Sequence, residues 1–226
     1  MKHRDDRVTF IHLMIRVSRY LLYLLLVTLP LRAAAAEATL TGEALVHALR
    51  LGGYNIYFRH AATDWSQSDK VERPGDWTSC DPSRIRQLSD EGRDSARAVG
   101  KAMRALNIPV GKVLASPYCR TVETATLMDL GPVVTTTDVM NMRVASYFGG
   151  RAAIAKTARR RLSVPPAKGT NTVIVAHGNV AREATPVYPG EAEGVVFRPD
   201  GDGGFRFVGR LAPAEWTALA DKLGGG

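Results

Sequence analysis

The stretches YNIYFRH, residues 54–60, and TVIVAHGN, residues 172–179, decide the fold class. Each is a short apolar run, rich in β-branched or aromatic residues, that breaks at a histidine. Such uninterrupted runs are typical of strands buried on both faces, as in a parallel sheet. Ligands of open α/β sheets bind at the carboxyl ends of the strands. We therefore expect Arg59, His60 and His177 to lie at one edge of a sheet.

Helical patterns alternate with these strands. Residues 41–53 and 88–106 have apolar residues at helical spacing, and Thr41 and Ser89 stand at the N-cap positions. The other predicted elements are strands at 112–115 and 132–137, a basic helix at 150–162, a hairpin at 194–211 and a last helix near Pro213. This alternation predicts an α/β sandwich whose sheet is mostly parallel.

The first 36 residues have the pattern of an export signal. Arg16 and Arg19 precede a 12-residue apolar stretch, residues 20–31, which small residues suited to signal peptidase follow. Because this stretch is shorter than the roughly 20 residues that a membrane helix needs, we predict a signal peptide at 1–36. A retained membrane anchor is the alternative. Signal cleavage would leave no stable membrane span, with the mature domain, residues 37–226, in the periplasm or secreted.

Charge and cysteines narrow the function. Of the 30 Lys/Arg and 22 Asp/Glu residues, six and two lie in residues 1–36, which leaves a net charge of +4 on the rest. This mild excess suits small anions, and we predict no nucleic-acid partner. Cys80 and Cys119 both remain after cleavage, and in an oxidising compartment we expect them to form a disulfide. Two buried free thiols are the alternative.

A third candidate, Arg120, follows the apolar run that ends at Ala115. If it joins Arg59, His60 and His177, two guanidiniums and two imidazoles form a cage for an anion. An imidazole can be neutral and nucleophilic near pH 7. Around a phosphoryl group, these residues predict covalent catalysis through a phosphohistidine.

Four motifs resemble the histidine phosphatase superfamily, which has the phosphoglycerate-mutase-like fold. They are RHAATDWS at 59–66, LSDEGRDSA at 88–96, ASPYCRTVETA at 115–125 and VIVAHGN at 173–179. The resemblance implies a three-layer α/β fold without a metal or organic cofactor. It also implies that His60 accepts the phosphoryl group, that Arg59, Arg120 and His177 bind it, and that Thr63 lies near it.

The sequence differs from that family in the residue at the position of the proton donor. Met142 falls roughly where mutase-like members carry an acidic residue, and its side chain has no proton to donate. Another acid is then needed for the leaving group. The candidates are Asp64, Glu183, Glu191 and Glu193, of which we favour Asp64 and Glu193. Asp64 has an equally good alternative, a turn hydrogen bond in the loop.

The function that follows is an exported phosphomonoesterase that acts on a small or cell-envelope phosphate ester. The motifs also resemble the exported bacterial branch that includes lipopolysaccharide core heptose phosphatases, so a lipopolysaccharide-type substrate is one expectation. The alternatives are a noncatalytic module that binds phosphate or phosphosugars, and a mutase. A metal site at His60 and Asp64 is disfavoured because nearby guanidiniums oppose a cation. The sequence leaves the oligomeric state and physiological substrate open.

Overall fold

The computed structural model describes residues 39–224. The predicted leader lies outside these residues, so the signal peptide stays a prediction. The sheet contains β1 (Asn55–Arg59), β2 (Val110–Ala115), β3 (Val133–Thr135), β4 (Asn171–Ala176), β5 (Gly194–Pro199) and β6 (Phe205–Leu211). The α-helices of the described part are α1 (Gly42–Leu51), α2 (Asp90–Ala105), α3 (Cys119–Met128), α4 (Arg151–Ser163), α5 (Gly178–Ala184) and α6 (Pro213–Leu223), and 3₁₀ helices span Asp76–Thr78, Thr137–Val139 and Met142–Phe148.

The strand order is β3-β2-β4-β1-β5-β6. The first four strands are parallel, whereas β5 runs antiparallel to β1 and pairs with β6 as a hairpin. The predicted mostly parallel α/β sheet is therefore confirmed. None of the helices that the model describes is both long and apolar enough to cross a membrane.

Helices pack against both faces of the sheet, so the side chains on both sides of the central strands are buried. Ile56 and Phe58 of β1 pack in one core together with Trp216 of α6. Tyr57, between them, packs in the other core together with Ile154 of α4. All six residues of β4 are buried. This arrangement gives three layers, and it explains why the strand sequences show no polar alternation.

Several predicted boundaries are close to the observed ones. The Ser89 hydroxyl oxygen caps α2 by accepting a hydrogen bond from the Gly92 amide at 3.1 Å. Thr41 precedes α1, but its side chain makes no capping hydrogen bond. The strand predicted at 132–137 ends earlier, at Thr135, because the Thr136 hydroxyl accepts from the Asp138 amide and starts a 3₁₀ turn.

The three strands that matter for the site are adjacent, with β4 between β2 and β1. Backbone pairing continues past their last residues. The His60 amide donates to the Ala176 carbonyl at 2.9 Å, and the Ser116 amide donates to the Val175 carbonyl at 3.0 Å. The sheet therefore fixes the backbone of the residues that leave these strands.

The connection from β1 to α2, residues 61–88, is held at several points. Thr63 forms a β-bridge with Leu88, and a single 3₁₀ turn spans Asp76–Thr78. Cys80 and Cys119 form a disulfide with a Cα–Cα distance of 5.3 Å, which confirms the expected pairing. The disulfide joins the loop to the first residue of α3, next to Arg120.

Candidate functional site

The two histidines meet at the carboxyl edge of the sheet, although 117 positions separate them. Their ring centroids lie 5.6 Å apart, and the ring planes are inclined to each other by 68°. His60 leaves β1 and His177 leaves β4, and both side chains are buried. The predicted convergence of these strand exits is observed.

One hydrogen bond sets the protonation pattern of His60. Its Nδ1 lies 2.8 Å from the backbone carbonyl oxygen of Ala61. A carbonyl can only accept, so Nδ1 carries the proton in this contact and the lone pair of the neutral ring is on Nε2. The backbone thereby selects the tautomer in which Nε2 is the nucleophilic atom.

Ser116, Tyr57 and Tyr118 hold His177 in place. Its Nε2 lies 3.0 Å from the hydroxyl oxygen of Ser116, at the exit of β2. The Tyr57 hydroxyl donates to the His177 carbonyl at 2.8 Å. The ring also packs edge-on against Tyr118, with centroids 4.7 Å apart. His177 Nδ1 is buried without a hydrogen-bond partner.

Burial and the neighbouring cations keep both imidazoles neutral. Burial, and then the charge of Arg120, lowers the pKa of His60 to about 3. The same causes, in the same order, lower the pKa of His177 well below its usual value. Near neutral pH, His60 therefore has a free lone pair and carries no positive charge.

Arginines dominate a cavity of about 100 Å³ that both histidines line. The guanidiniums that line it belong to Arg59, Arg86, Arg120 and Arg143. The side chain of Arg120 is only 3% exposed and lies over the ring of Tyr118. Its Nη1 donates to Asp69 at 2.8 Å, while Arg59 Nη2 donates to Glu191 at 3.1 Å.

Three residues that line this cavity each have a buried side-chain nitrogen without a partner among the described residues: Arg86 Nε, Arg120 Nε and His177 Nδ1. An unpaired buried donor is costly, and an anion with several acceptor oxygens would satisfy it. The cavity has roughly the volume of three water molecules. A tetrahedral oxyanion matches both this size and this donor set.

A family comparison agrees with this geometry. Residues 56–168, half of the chain, match the model of the histidine phosphatase superfamily (branch 1). The chain belongs to this superfamily. The match includes His60 and Arg120, the nucleophile candidate and its buried guanidinium neighbour, and it ends before His177.

Solved structures share the superfamily fold at low sequence identity. The protein histidine phosphatase SixA complexed with tungstate is 14% identical, with a TM-score of 0.50, and the match covers 71% of this chain and 97% of that one. Phosphoserine phosphatase from Entamoeba histolytica, in complex with 3-phosphoglyceric acid, is 13% identical, with a TM-score of 0.50 and coverages of 72% and 98%. At these identities the likeness shows the fold alone. No curated protein matches the chain.

The two favoured acid candidates lie outside the cavity that the histidines line. Asp64 accepts from the amide and hydroxyl of Ser66, and from Gln67, in the turn that we gave as its alternative role. These bonds, the one from the Ser66 hydroxyl first, lower the pKa of Asp64. Glu193 accepts from the Gly190 amide and faces Arg210. Their catalytic roles stay predictions.

The two remaining acid candidates are also paired. Glu183 forms an ion pair with Arg151, and Glu191 forms one with Arg59.

Thr63, the predicted phosphate neighbour, lines the cavity. Ala61 is buried and is not among the described residues at positive φ, so its methyl group needs no strained backbone.

The sequence reasoning missed several residues of the cavity, chiefly Asp69, Arg86 and Arg143. Arg86 lies 3.9 Å from the ring centroid of Trp65, whose indole is largely exposed. Asp69 and Arg86 come from the polar loop, where the sequence contains other acids and arginines of the same kind. Arg86 differs from the other arginines of the loop only in its position, two residues before the motif that starts at Leu88.

Proposed function

We propose that the protein is a phosphomonoesterase that forms a phosphohistidine at His60. The observation that carries this proposal is the hydrogen bond from His60 Nδ1 to the Ala61 carbonyl, which leaves a lone pair on Nε2 of a histidine that lines a cavity of guanidiniums. A neutral, oriented nucleophile beside fixed cations suits attack on a phosphoryl group better than simple anion storage.

In the proposed reaction the phosphoryl oxygens bind the guanidiniums that line the cavity, including that of Arg120. Nε2 of His60 forms a bond to phosphorus as the ester P–O bond breaks, and the leaving oxygen takes up a proton. Water then attacks phosphorus, the P–N bond breaks and inorganic phosphate leaves. The arginines stabilise negative charge on the transferring group without moving.

A second cavity supports an ester with a sizeable leaving group. It has a volume of about 1000 Å³ and shares Thr63 and Trp65 with the small cavity. It lies between the loop, the start of α2 and one side of α3. This volume is at the upper end for small-molecule sites, so the alcohol part of a phosphosugar would fit.

The proposed cellular setting is the periplasm or the exterior. The signal-like pattern at 1–36 supports export, and the Cys80–Cys119 disulfide is of the kind that persists in oxidising compartments. A small or cell-envelope phosphate ester, including one of the lipopolysaccharide type, is the substrate class that we propose for such a protein.

Hydrolysis of p-nitrophenyl phosphate tests the activity. We expect turnover by the wild-type protein and a loss of about 10⁴-fold or more in His60→Ala, because the nucleophile is gone. His47 is an exposed histidine in α1, so His47→Ala is the matched control and should retain full activity. Rapid quenching during turnover should trap phosphate on the wild-type protein and none on His60→Ala.

Three other results would each reject the proposal. Binding of vanadate without turnover would indicate a noncatalytic phosphate module. Transfer of phosphate to an added sugar in place of water would indicate a mutase. Equal activity of His60→Ala and the wild type would exclude His60 as the nucleophile.

A further inference from the structure

Asp69 is a buried carboxylate inside the cavity of guanidiniums. Its side chain is 7% exposed, although it belongs to a polar loop. Its Oδ1 accepts from Arg120 Nη1 at 2.8 Å, and its Oδ2 lies 3.4 Å from Arg120 Nη2 and 3.3 Å from Arg143 Nε. It is the one carboxylate among the described residues that line this cavity together with both histidines.

The position of Asp69 meets a need of the chemistry. An alkoxide is a poor leaving group, so ester hydrolysis requires a proton donor within reach of the leaving oxygen. The hydroxyl groups of the cavity, on Thr63 and Tyr188, are much weaker acids than a carboxyl group. Because the cavity holds only about 100 Å³, any phosphoryl group inside it lies close to the Asp69 carboxyl.

The other carboxylates are less suited to this role. The hydrogen bonds that Asp64 accepts come from Ser66 and Gln67, its own neighbours in the loop. A substrate would not displace these partners, and they favour the charged form of Asp64. Asp69 differs because its partner is Arg120, the guanidinium that a phosphoryl group would also bind.

We propose that Asp69 is the general acid and base of the reaction, a role that rests on the proposed phosphatase activity. When the phosphoryl dianion takes donors of Arg120, the carboxylate loses part of its counter-charge and lies beside a second negative group. Like charges in one site favour uptake of a proton by one of them. The resting ion pair thereby becomes a protonated carboxyl only when substrate is bound.

The proton then follows the bonds that break and form. As His60 Nε2 bonds to phosphorus and the ester P–O bond breaks, the Asp69 carboxyl gives its proton to the leaving oxygen. The carboxylate that results takes a proton from the attacking water as the P–N bond breaks. When inorganic phosphate leaves, Asp69 releases this proton to solvent and pairs with Arg120 again, so each turnover releases one alcohol and one phosphate and returns Asp69 to its resting carboxylate.

Two aryl esters with leaving groups of different basicity test this role. Phenyl phosphate needs a proton donor more than p-nitrophenyl phosphate does, since phenolate is the more basic leaving group. We expect Asp69→Asn to lower kcat/KM for phenyl phosphate by about 10²–10⁴-fold and for p-nitrophenyl phosphate by less than about tenfold. Asparagine keeps the shape and an acceptor for Arg120 but has no proton to transfer.

Asp64→Asn and Glu193→Gln are the matched comparisons. We expect both to leave the ratio of the two kcat/KM values as in the wild type. If either of them shows the dependence on the leaving group, that residue is the acid and Asp69 is not. Vanadate inhibition of each variant reports whether the cavity remains folded.

Two other results would overturn the proposal. Equal losses on both esters in Asp69→Asn, with weaker vanadate inhibition, would make Asp69 a positioning residue for Arg120. A gain in activity with tighter inhibition by inorganic phosphate would make it a competitor that substrate displaces. Failure of the phosphatase proposal looks different, since His60→Ala would then match the wild type on both esters.

Discussion

The strand exits and the loop at 61–88 build the site in different ways. His60 and His177 stand one residue beyond buried parallel strands. The His60 amide continues the backbone pairing of the sheet by donating to the Ala176 carbonyl, and the backbone of His177 bonds to the hydroxyl of Tyr57 in the neighbouring strand. Asp69 and Arg86 stand in a loop with little regular structure, which side-chain contacts, a disulfide and a β-bridge hold. The sheet therefore places the two imidazoles, while the loop places charged groups around them.

This difference separates two kinds of dependence on structure. The strand exits share the stability of the whole sheet, because their backbone cannot move without breaking hydrogen bonds to the neighbouring strand. The loop has local restraints, so individual contacts decide where Asp69 lies. Substitutions that act on one region and spare the other test this division.

The largest effect is expected where the loop leaves the sheet and meets α2. A Cβ atom at Gly92 would lie 2.1 Å from the Ala62 carbonyl oxygen, which is a backbone atom and cannot swing aside. We expect Gly92→Ala to lower the free energy of unfolding by more than about 3 kcal/mol and to abolish activity. Urea unfolding monitored by circular dichroism measures this.

Asp94 on the exposed side of the same helix provides the control. Its side chain is 82% exposed and its ion pair with Arg97 is on the surface. Asp94→Ala should change the free energy of unfolding by less than about 0.5 kcal/mol. A Gly92→Ala protein as stable as Asp94→Ala would show that the loop can move away from α2.

The disulfide is the next largest restraint on the loop. It closes a sequence separation of 39 residues. We expect the double variant Cys80→Ser with Cys119→Ser to lose about 2–4 kcal/mol of unfolding free energy, chiefly because its unfolded chain is less constrained. Its kcat/KM should also fall, since the tethered loop carries Asp69. Unchanged kcat/KM would mean that the ion pairs alone hold the loop in place.

The smallest effect concerns the strand exits and depends on pH. His60 has a pKa of about 3 in the folded protein and an ordinary value near 6.5 when unfolded. Between these values only the unfolded state binds the proton, so this histidine makes stability fall as the pH drops below about 6.5. The slope it contributes is about 1.4 kcal/mol per pH unit.

His60→Gln isolates this contribution, because all carboxylates titrate in both proteins. We expect the variant to lose stability less steeply than the wild type between about pH 6 and pH 4, by that slope. Unfolding with urea at several pH values measures it. Parallel curves would mean that the imidazole of His60 is as easily protonated in the folded protein as in the unfolded one.

Most of the fold could be predicted from the sequence because hydrophobic pattern and end signals are local. The central strands, the Ser89 cap and the hairpin at the end of the sheet all follow from short segments. The extent of β3 could not be predicted, since the Thr136 side chain ends it by a hydrogen bond within the following turn. Sequence pattern does not distinguish such a bond from continued strand.

The candidate site likewise has residues that the sequence predicted and residues that it did not. The motifs indicated both histidines, Arg59, Arg120 and Thr63, and the structure brings all five to one cavity. The loop gave no such signal: Asp69, in the polar segment SQSDK, looks like a solvated residue in the sequence. Its burial depends on Arg120 and Arg143, which lie 51 and 74 positions further along the chain.

The sequence by itself determined the succession of strands and helices along the chain, and it showed that His60 and His177 follow the ends of strands. Both follow from the spacing of apolar residues within short segments. Only the tertiary structure decided the neutrality of both imidazoles and the pairing of Asp69 with Arg120. These properties depend on burial and on charges brought together from distant segments, and electrostatic interactions act through space, with no regard for separation along the chain.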